Sequence, residues 1–349
     1  MPSVVTFTAP RTVELQETPR EEVGPTDVRV RTWYSGISAG TELSAYRGSN
    51  PYLTRTWDDR ARLFRDGPPT FSYPVTGWGY SETGEVVEVG EQVSGVAVGD
   101  VVHGIWGHRS EAVRPAESLV GRTLARDVDP RIGCFARVGA IALNGVLAAD
   151  TRLGSRIAVF GQGVIGLLAT RLAVLSGARV AAVDLEARRL EVARAYGADL
   201  TLDPRVAGGA GPALREWSGG GVDGAVELSG APAALHEAIR SVRVEGTVAA
   251  AGFYQGGAEG LRLGEEFHHN RVRIVASQIS GVPVGLSGSW DQARLVAVFM
   301  ELALAGRVDV APLITDVVDA DEVGSAFRRL DDGDPEVLQV LLRFPGAPR

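Results

Sequence analysis

The sequence predicts an α/β protein with two domains, one rich in β-strands and one built on a doubly wound parallel sheet. Its 349 residues are enough for two separate hydrophobic cores. Short strands rich in β-branched residues dominate the first part of the chain, and strands alternate with helices from about residue 139 onward. Hydrophobic residues make up 45% of the chain and charged residues 22%, a composition typical of globular proteins rather than disordered ones.

The first part of the chain predicts the β-rich domain. Residues 28–34 and 84–89 alternate in polarity and are rich in β-branched residues, and residues 90–102 carry Gly where strands turn tightly. Residues 49–74 form a polar segment with several aromatic residues, which is too long for a simple turn. We expect this segment to be a lid or a substrate-binding loop, with a plain surface insertion as the alternative.

The alternation that follows predicts a parallel sheet covered by helices on both faces. The predicted strands are residues 156–161, 179–184, 222–230 and 246–253, and the predicted helices are 140–149, 163–178, 186–198 and 232–242. A further helix is predicted at 290–306 and a final strand at 335–344. We therefore place one domain at 139–280 and the other at 1–138 together with 281–349.

Charge and composition exclude several classes of function. The net charge is −8, so the sequence does not favour binding to nucleic acid or to an anionic membrane. All 35 basic residues are Arg, which rules out a Schiff base or a lysine general base. Cys134 is the single cysteine and excludes a disulfide or a zinc site of several thiolates within one chain.

The N-terminal residues lack a positively charged start followed by an apolar run, and no apolar stretch is expected to reach membrane-spanning length. We therefore expect a cytoplasmic protein that acts on a small molecule.

A dinucleotide-binding motif, GQGVIG, stands at residues 161–166. It follows an apolar strand and opens a helix, and this context makes a G-x-G-x-x-G pattern informative. Gly161 permits the tight turn, Gly163 lets the backbone approach a pyrophosphate, and Gly166 allows close packing of helix on strand. Val164 and Ile165 then lie in the first turn of the helix, whose free N–H groups favour phosphate.

Asp184 lies at the end of the next strand, 18 residues after Gly166. A carboxylate there accepts hydrogen bonds from the ribose hydroxyls and repels a 2′-phosphate, so NAD is favoured over NADP. Arg188 and Arg189 keep NADP open as an alternative, although Arg189 also fits beside the ribose. The predicted cofactor-binding residues from later strands are Ser229, Gly252 and Phe253. A domain of this type that binds no dinucleotide is the remaining alternative.

The order of these domains resembles the medium-chain dehydrogenase/reductase superfamily, of which the zinc alcohol dehydrogenases are the best-known members. The resemblance covers essentially the whole chain, and its motifs are GISAGTE (36–42), GYSETGEVVEVG (79–90), GVAVGDVV (95–102), AVFGQGVIG (158–166) and VDLEARRLEVARAYGAD (183–199). It implies a GroES-like catalytic domain and a Rossmann domain with the active site in the cleft between them. It also implies a homodimer formed through an edge strand, for which residues 272–283 are the candidate.

The ligands of the catalytic zinc in such proteins are absent from this sequence. Where relatives have a Cys before a Thr/Ser-Asp/Glu pair, this chain has 38–40 (Ser-Ala-Gly) before Thr41-Glu42. The Gly-His-Glu motif is replaced by 79–81 (Gly-Tyr-Ser), and the third ligand position falls at Ala136. The four-cysteine structural zinc lobe is absent as well. We therefore expect no zinc.

A metal site rebuilt from other residues is the alternative. Cys134, His103 and His108 lie in the right domain, but a catalytic zinc needs three converging protein ligands. We expect His108 to be a surface or packing histidine rather than a catalyst, and we expect no catalytic role for the pair at 268–269 (His-His).

Without zinc, other donors must stabilise the substrate oxygen. Tyr80 stands where a metal ligand would stand and is the predicted proton donor or oxyanion stabiliser, with an aromatic pocket wall as the alternative. Thr41 is the predicted hydroxyl relay, and Glu42 is predicted to support the site. The residues expected to line the substrate pocket are Ser38, Trp57, Trp78 and Arg137.

The predicted function is the interconversion of an alcohol and a ketone on a small polar substrate, such as a polyol, sugar or cyclitol. The polar segment 49–66 suits such a substrate better than a lipid. Three alternatives stay open. They are NAD(P)H-dependent C=C reduction of an enone or quinone, epimerisation or elimination with tightly bound NAD, and a sensor or scaffold that binds dinucleotide without turnover.

Overall fold

The computed structural model describes residues 1–205 and 208–348, in which the chain forms two compact units. The split unit comprises Met1–Arg137 and Leu313–Arg349, and the continuous unit comprises Val138–Pro312. The fold is α/β, with mainly antiparallel sheets in the split unit and one parallel sheet in the continuous unit. The predicted fold class, a GroES-like β-rich domain with a Rossmann domain, is confirmed.

The second boundary between the units differs from the predicted one. We placed the return to the first domain after residue 280, whereas the observed division lies between Pro312 and Leu313. The helix Gln292–Leu304 belongs to the continuous unit because Phe299, which is fully buried, packs against Gly139. A helical pattern in the sequence does not show which core its apolar face covers.

The split unit is built mainly from strands, with one helix in its first part. The elements are β1 Ser3–Ala9, β2 Thr12–Glu17, β3 Asp27–Gly36, α1 Ala39–Arg47, β4 Thr56–Asp58, β5 Leu63–Arg65, β6 Val75–Thr76, β7 Glu82–Val89, β8 Val101–Gly104, β9 Glu111–Pro115 and β10 Thr123–Leu124. Strands β2, β1 and β6 form one sheet, and β4 pairs with β5. A larger sheet has the order β10-β8-β7-β3, with β9 also paired to β3.

The C-terminal part of the chain completes this larger sheet. It contains β17 Ile314–Asp319, α8 Val323–Asp331 and β18 Gln339–Arg343. Strand β18 lies between β3 and β17. The amide of Gln339 donates a hydrogen bond to the carbonyl oxygen of Ile37 at 2.9 Å, and the Ile37 N–H donates to Val340 at 3.0 Å. The last strand therefore holds the backbone at the end of β3, where the 38–42 segment begins.

The split unit has its own hydrophobic core. Phe7 and Phe327 are fully buried and pack edge to face, with ring centroids 5.2 Å apart. Aromatic pairs in this geometry stabilise a core beyond the effect of buried area alone. Val30 and Val86 are fully buried in a second cluster of the same unit. Strands β3 and β7 are thus fixed by alternating apolar residues, as their sequence pattern predicts.

The segment 49–74 is folded and is not an irregular loop. Residues Pro51–Leu53 form a 3-10 turn, after which β4 and β5 pair as a short antiparallel hairpin. One ion pair across the hairpin joins Asp58 to Arg65 at 2.8 Å. Because the pair is solvent-exposed, it contributes little to the stability of the fold. The segment keeps a defined shape, so it presents its aromatic side chains on a structured surface.

The continuous unit has the alternation that the sequence predicts. Its elements are α2 Ala136–Ala148, which begins at the unit boundary, β11 Arg156–Phe160, α3 Val164–Leu175, β12 Arg179–Val183, α4 Ala187–Ala195, β13 Leu200–Leu202, α5 Ala210–Ser218, β14 Val222–Glu227, α6 Pro232–Ser241, β15 Val242–Ala250, β16 Arg273–Ala276 and α7 Gln292–Leu304. The strands form a parallel sheet in the order β13-β12-β11-β14-β15-β16. Central strands are apolar on both faces because helices cover both faces.

Strand β16 is one edge of this sheet, within the 272–283 run expected to supply such an edge. Its residues are mostly exposed, which leaves the outer hydrogen-bonding row available for another strand. The homodimer stays a prediction.

One expectation about apolar stretches is wrong. The helical stretch Pro130–Ala148 has 19 residues and a mean hydropathy of 1.3, so by length and composition it is long enough to cross a membrane. Of its most apolar window, 72% is buried inside the protein. Its hydropathy is explained by the protein interior that it fills, as for the core helix of a globular fold.

Candidate functional site

The glycine-rich loop lies between β11 and α3. Gly161 has a φ of +82°, a conformation that side chains other than glycine rarely adopt, and a Cβ there would lie 2.7 Å from the backbone nitrogen of Ser229. A Cβ on Gly166 would lie 1.7 Å from the carbonyl oxygen of Gly161. Both glycines are therefore required by contacts within the fold itself, before any ligand is considered.

Gly163 differs from its two neighbours in the motif. It is the N-cap of α3, and a Cβ placed on it would have no atom within 4 Å. The space in front of it is open, at the N-terminus of a 12-residue helix whose first turn contains Val164 and Ile165. Free backbone N–H groups and the helix dipole make such a position suitable for phosphate. This opening fits the pyrophosphate of a dinucleotide.

Asp184 stands at the end of β12, beside the glycine-rich loop. Its carboxylate accepts hydrogen bonds from the backbone N–H groups of Gln162 and Glu186, the latter at 2.9 Å. It lines a cavity of about 510 Å³. The cavity also contains Arg189 and Ser229, two of the predicted cofactor residues. A cavity of this size with an acid at its rim suits the adenosine half of a dinucleotide.

The Arg189 guanidinium has a buried Nε without a hydrogen-bond partner in the described residues. This donor lies at the cavity, where a ribose oxygen or a phosphate oxygen would satisfy it. The position of Arg189 is therefore compatible with NAD, whose ribose it would contact, and with NADP, whose 2′-phosphate it would bind.

Glu227, which sequence reasoning missed, organises the end of β14. Its carboxylate accepts hydrogen bonds from the N–H and the hydroxyl of Ser229, from the Gly230 N–H at 3.2 Å and from the hydroxyl of Tyr254. Burial raises its pKa, and these four donors partly oppose that rise. The carbonyl oxygen of Glu227 also accepts the Gly252 N–H at 2.9 Å. Two of the predicted cofactor residues, Ser229 and Gly252, are therefore held by one acid.

Phe253, the last predicted cofactor residue, is 41% exposed and follows Gly252 directly. A Cβ on Gly230 would lie 2.8 Å from the carbonyl oxygen of Phe253, so the two loops that carry them are in close contact. The signal that could have identified Glu227 from the sequence was an acid near the end of the apolar strand VDGAVELSG (222–230).

In the split unit, the structure brings together three of the predicted site residues, Ser38, Thr41 and Tyr80. The hydroxyl of Tyr80 is hydrogen bonded to the Ser38 hydroxyl and lies 3.4 Å from that of Thr41. Ser38 caps α1 and Thr41 lies in its first turn, whereas Tyr80 directly precedes the residues that lead into β7. Three hydroxyl groups thus converge although they are 39 and 42 residues apart in the chain.

Burial raises the pKa of the Tyr80 phenol above its ordinary value of 10. Hydrogen bonds from Ser38 and Thr41 lower the pKa, the charge of Glu42 raises it further, and the charge of Arg137 lowers it. Tyr80 is therefore a protonated phenol whose acidity depends on one nearby anion and one nearby cation. Arg137, which lies in the first turn of α2, acts on Tyr80 through its charge.

Glu42 is fully buried, and its two oxygens have different partners. Oε1 accepts the backbone N–H of Ser38 at 3.0 Å, and Oε2 is 2.6 Å from Nε2 of His108. His108 is also fully buried, so the interpretation of this residue as a surface histidine is wrong and the packing interpretation is correct. Its other ring nitrogen, Nδ1, lies 2.5 Å from the hydroxyl of Ser35.

The chain of contacts continues from Ser35 to a second buried acid, Glu82. The Ser35 hydroxyl donates to Glu82 at 3.1 Å, and the backbone N–H groups of Ser81 and Trp106 also donate to this carboxylate, at 3.0 and 2.7 Å. We name the set Ser35, Glu42, Glu82 and His108 the buried charge chain. Sequence reasoning missed Ser35 and Glu82, because an acid at the start of a strand does not reveal a partner on another element.

Burial alone lowers the pKa of His108, but the charge and hydrogen bond of Glu42 and the charge of Glu82 outweigh burial and raise it. The pKa of Glu82 is raised by burial, although His108 and its hydrogen-bond donors oppose the rise. An imidazolium between two carboxylates would compensate charges that are otherwise costly to bury.

The residues of the alternative metal site do not converge. Among the described residues, the single group of three His, Cys, Asp or Glu whose ligand atoms lie within 4.8 Å of one another is His236 with Glu265 and Glu266. The buried thiol of Cys134 lies 3.5 Å from the Thr83 hydroxyl, and burial raises its pKa to about 12.

The donor set at the three zinc-ligand positions implied by the resemblance is equally unsuited to zinc. Ser38 and Tyr80 offer hydroxyl groups that bind each other, and Ala136 offers no ligand. Zinc in proteins prefers thiolate, imidazole and carboxylate ligands.

The two predicted pocket tryptophans lie on one path of aromatic contacts. Trp57, on β4, packs against Phe64 with centroids 4.9 Å apart, and Tyr52 contacts both rings. Trp78 is reached from Tyr52 through Phe71, at centroid distances of 5.2 and 6.2 Å. Trp78 stands two residues before Tyr80, so the path leads from the hairpin to the neighbourhood of the hydroxyl cluster.

Comparison with known proteins gives a consistent result. Residues 164–295 match the family model described as zinc-binding dehydrogenase. The chain is 29% identical over 337 residues to D-guloside 3-dehydrogenase of Escherichia coli (strain K12). This alignment covers 94% of this chain and 96% of the relative. It is also 29% identical over 297 residues to (R,R)-butanediol dehydrogenase of Bacillus subtilis (strain 168). That alignment covers 77% of this chain and 80% of the relative.

The fold is shared with a solved structure. The crystal structure of 2R,3R-butanediol dehydrogenase from Bacillus subtilis superposes with a TM-score of 0.78 at 23% identity, over 98% of this chain and 99% of that one. This chain is similar to each of these proteins along most of its length.

Proposed function

We propose that this chain, which belongs to the medium-chain dehydrogenase/reductase superfamily of oxidoreductases, interconverts an alcohol and a ketone on a small polar substrate, with NAD(H) as cofactor and without zinc. The observation that carries the proposal is the hydroxyl cluster. A phenol hydrogen bonded to two other hydroxyls stands where the resemblance implies a metal ligand. The similar proteins named above are dehydrogenases of a guloside and of butanediol, which are both hydroxylated compounds.

The residues of the continuous unit fit a nicotinamide dinucleotide. The open N-terminus of α3 at Gly163 would hold the pyrophosphate, and the cavity with Asp184 would hold the adenosine ribose. The Asp184 carboxylate supports NAD over NADP because it would repel a 2′-phosphate. The bound cofactor supplies the hydride acceptor or donor, and every other part of the chemistry falls to the protein.

Tyr80 is the acid and base of the reaction. In the direction of ketone reduction, its hydroxyl donates a hydrogen bond and then the proton to the carbonyl oxygen of the substrate. Ser38 and Thr41 donate to the phenolate that forms, which lowers its free energy. The Arg137 charge acts in the same direction. In the direction of alcohol oxidation, the Tyr80 phenolate accepts the proton of the substrate hydroxyl.

The structured hairpin of β4 and β5 supports a polar substrate. The aromatic path through Trp57 and Trp78 offers flat apolar faces. The Arg62 guanidinium lies over the Trp57 ring, and Asp58 and Arg65 form an ion pair on the same hairpin. Sugars and cyclitols have both apolar C–H faces and hydroxyl edges, so they match such a surface better than a lipid does.

The test is turnover of the Tyr80→Phe enzyme on a panel of polyols, glycosides and cyclitols with NAD. Loss of a general acid lowers kcat by about a hundredfold or more. Tyr73→Phe is the matched control, because Tyr73 also donates its hydroxyl to a protein partner, Ala45, in the same unit. A Tyr80→Phe enzyme that turns over as fast as the wild type contradicts the assigned role.

The same panel tests the other parts of the proposal. Metal analysis and incubation with a chelator are expected to show no stoichiometric zinc and no loss of turnover. Loss of activity on chelation contradicts zinc independence. Turnover of enones with NADPH, and not of alcohols with NAD, would replace the proposal by C=C reduction.

A further inference from the structure

The buried charge chain is in contact with the backbone on both sides of the hydroxyl cluster. Glu42 accepts the N–H of Ser38, the residue whose hydroxyl binds Tyr80. His108 donates its own backbone N–H to the carbonyl oxygen of Trp78 at 2.9 Å. Gly79, between Trp78 and Tyr80, has a φ of +116°. A Cβ on Gly79 would lie 2.9 Å from Glu82 Oε1 and 2.9 Å from the backbone nitrogen of His108. No side chain larger than hydrogen fits between the charge chain and the tyrosine-bearing segment.

The hydrogen bonds of the chain also determine the state of the imidazole. The Ser35 hydroxyl donates its single proton to the Glu82 carboxylate, so at Nδ1 of His108 the same hydroxyl can only accept. Nε2 faces the Glu42 carboxylate. Both ring nitrogens therefore face acceptors and both carry protons, which makes His108 an imidazolium.

We propose that His108 is a positioning residue for Tyr80: as a buried cation bound to Glu42, it holds Ser38 in place and neutralises the carboxylate whose charge acts on the phenol. The inference rests on the proposed role of Tyr80 as the acid and base. The charged groups that face His108 are Glu42 on α1 and Glu82 on β7. Those that act on Tyr80 are Glu42 and Arg137.

The consequence for Tyr80 follows from charge. Without the His108 cation, the Glu42 carboxylate is an uncompensated buried anion beside the phenol, and it makes Tyr80 a weaker acid. Removal of the Glu42 charge has the opposite effect on Tyr80. Removal of both charges restores the balance, a pattern that a purely structural role of His108 does not produce.

The first experiment reads the protonation state of His108 without any measurement of activity. Nitrogen-15 NMR of the imidazole rings distinguishes an imidazolium from a neutral ring, and the His108 signals are assigned by replacing the other four histidines one at a time. We expect His108 to remain doubly protonated at about pH 8, where an ordinary histidine is neutral. A neutral ring at about pH 7 overturns the proposal, whatever the substrate is and whether or not Tyr80 is the acid.

The second experiment compares His108→Gln, Glu42→Gln and the double variant. For His108→Gln we expect kcat to fall about tenfold, the effect of one pKa unit at the acid, with the KM for the dinucleotide unchanged. We expect its pH profile of alcohol oxidation to move to higher pH. The double variant is expected to return toward the wild-type profile.

The control is His103→Gln, which changes a second buried histidine of the split unit whose Nδ1 has no hydrogen-bond partner among the described residues. Its pH profile of turnover is expected to match the wild type. Equal profiles for His108→Gln and the wild type, or a double variant with no recovery, overturn the positioning role. If Tyr80→Phe retains full turnover while His108 is an imidazolium, the proposed function fails and the charge state of His108 stands.

Discussion

The glycine-rich loop of the continuous unit and the Tyr80 cluster of the split unit are held in different ways. In the loop, a Cβ added to Gly161 or Gly166 would clash with backbone atoms, and the closer clash, at 1.7 Å, is between residues five apart in the chain. In the cluster, side-chain hydrogen bonds join residues that are far apart in the chain. Tyr80 bonds to Ser38, which is 42 positions away. His108 bonds to Glu42 and to Ser35, which are 66 and 73 positions away. One site is a property of a local backbone shape, and the other is a property of distant side chains.

This difference determines how each site responds to substitution. A backbone site fails sterically when a Cβ is added, independent of charge or pH. A side-chain site fails when a donor, an acceptor or a charge is removed, so its properties depend on pH.

Gly166→Ala is expected to have the largest effect. The added Cβ would lie 1.7 Å from the Gly161 carbonyl oxygen, so the helix must move away from the strand. We expect a loss of at least about 3 kcal/mol in the free energy of unfolding, together with loss of dinucleotide binding. Thermal unfolding followed by circular dichroism and titration with NADH measure the two effects.

Gly163→Ala, in the same motif, is the matched control. Its Cβ meets no protein atom, so the free energy of unfolding should stay within about 0.5 kcal/mol of the wild type. Affinity for NADH should fall, because the methyl group would occupy the space assigned to the pyrophosphate. Equal stability losses in the two variants would contradict the steric explanation.

The second prediction concerns pH and uses the two buried histidines of the split unit. Burial and the Arg122 charge lower the pKa of His103 to about 4, whereas His108 beside Glu42 has a raised pKa. A neutral buried His103 stabilises the fold above pH 6.5, and this contribution is lost as pH falls from 6.5 toward 4. The loss amounts to about 3 kcal/mol at most.

The measurement is the free energy of unfolding of the wild type and of His103→Gln between pH 7 and pH 4. The variant cannot take up this proton, so the difference between the two proteins should shrink or reverse as the pH falls. For His108 the sign is opposite: its contribution is present below the ordinary histidine pKa and is lost as the pH rises through its raised value. Parallel curves for wild type and His103→Gln would refute the assignment of a neutral His103.

The smallest predicted effect concerns Asp184. Asp184→Asn removes the charge that would repel a 2′-phosphate and keeps an oxygen for the Gln162 or Glu186 N–H. We expect the ratio of NADPH to NADH affinity to rise about tenfold, which corresponds to about 1.4 kcal/mol. Asp199→Asn, an acid beside the amino end of β12, is the control and should leave the ratio unchanged.

The sequence predicted the parallel sheet and the glycine-rich loop well because their signals are local. Apolar strands, helical periodicity and the spacing of Gly161, Gly163 and Gly166 are visible within short windows. The domain boundary was placed too early because the helix Gln292–Leu304 has the same pattern whichever core it covers. Tyr80 and Thr41 were identified through the resemblance, at positions aligned with family motifs.

The buried charge chain was outside the reach of the sequence for a physical reason. An isolated histidine in a Gly-rich stretch is compatible with exposure, and a carboxylate in a strand is compatible with a surface ladder. Their burial is stable only together, since each compensates the charge of the other. The pairing of Glu42 with His108 therefore depends on the tertiary structure and cannot be predicted from a local sequence pattern.

The position of β18 has a consequence for biosynthesis. The Ile37 backbone, which precedes Ser38, is bonded to Gln339 and Val340, and these residues are translated last in the split unit. The continuous unit is encoded without interruption between Val138 and Pro312 and can fold as soon as it leaves the ribosome. We therefore expect the sheet of the first 137 residues to be completed only after the final strand is made, and the continuous unit to fold before the hydroxyl cluster is fully assembled.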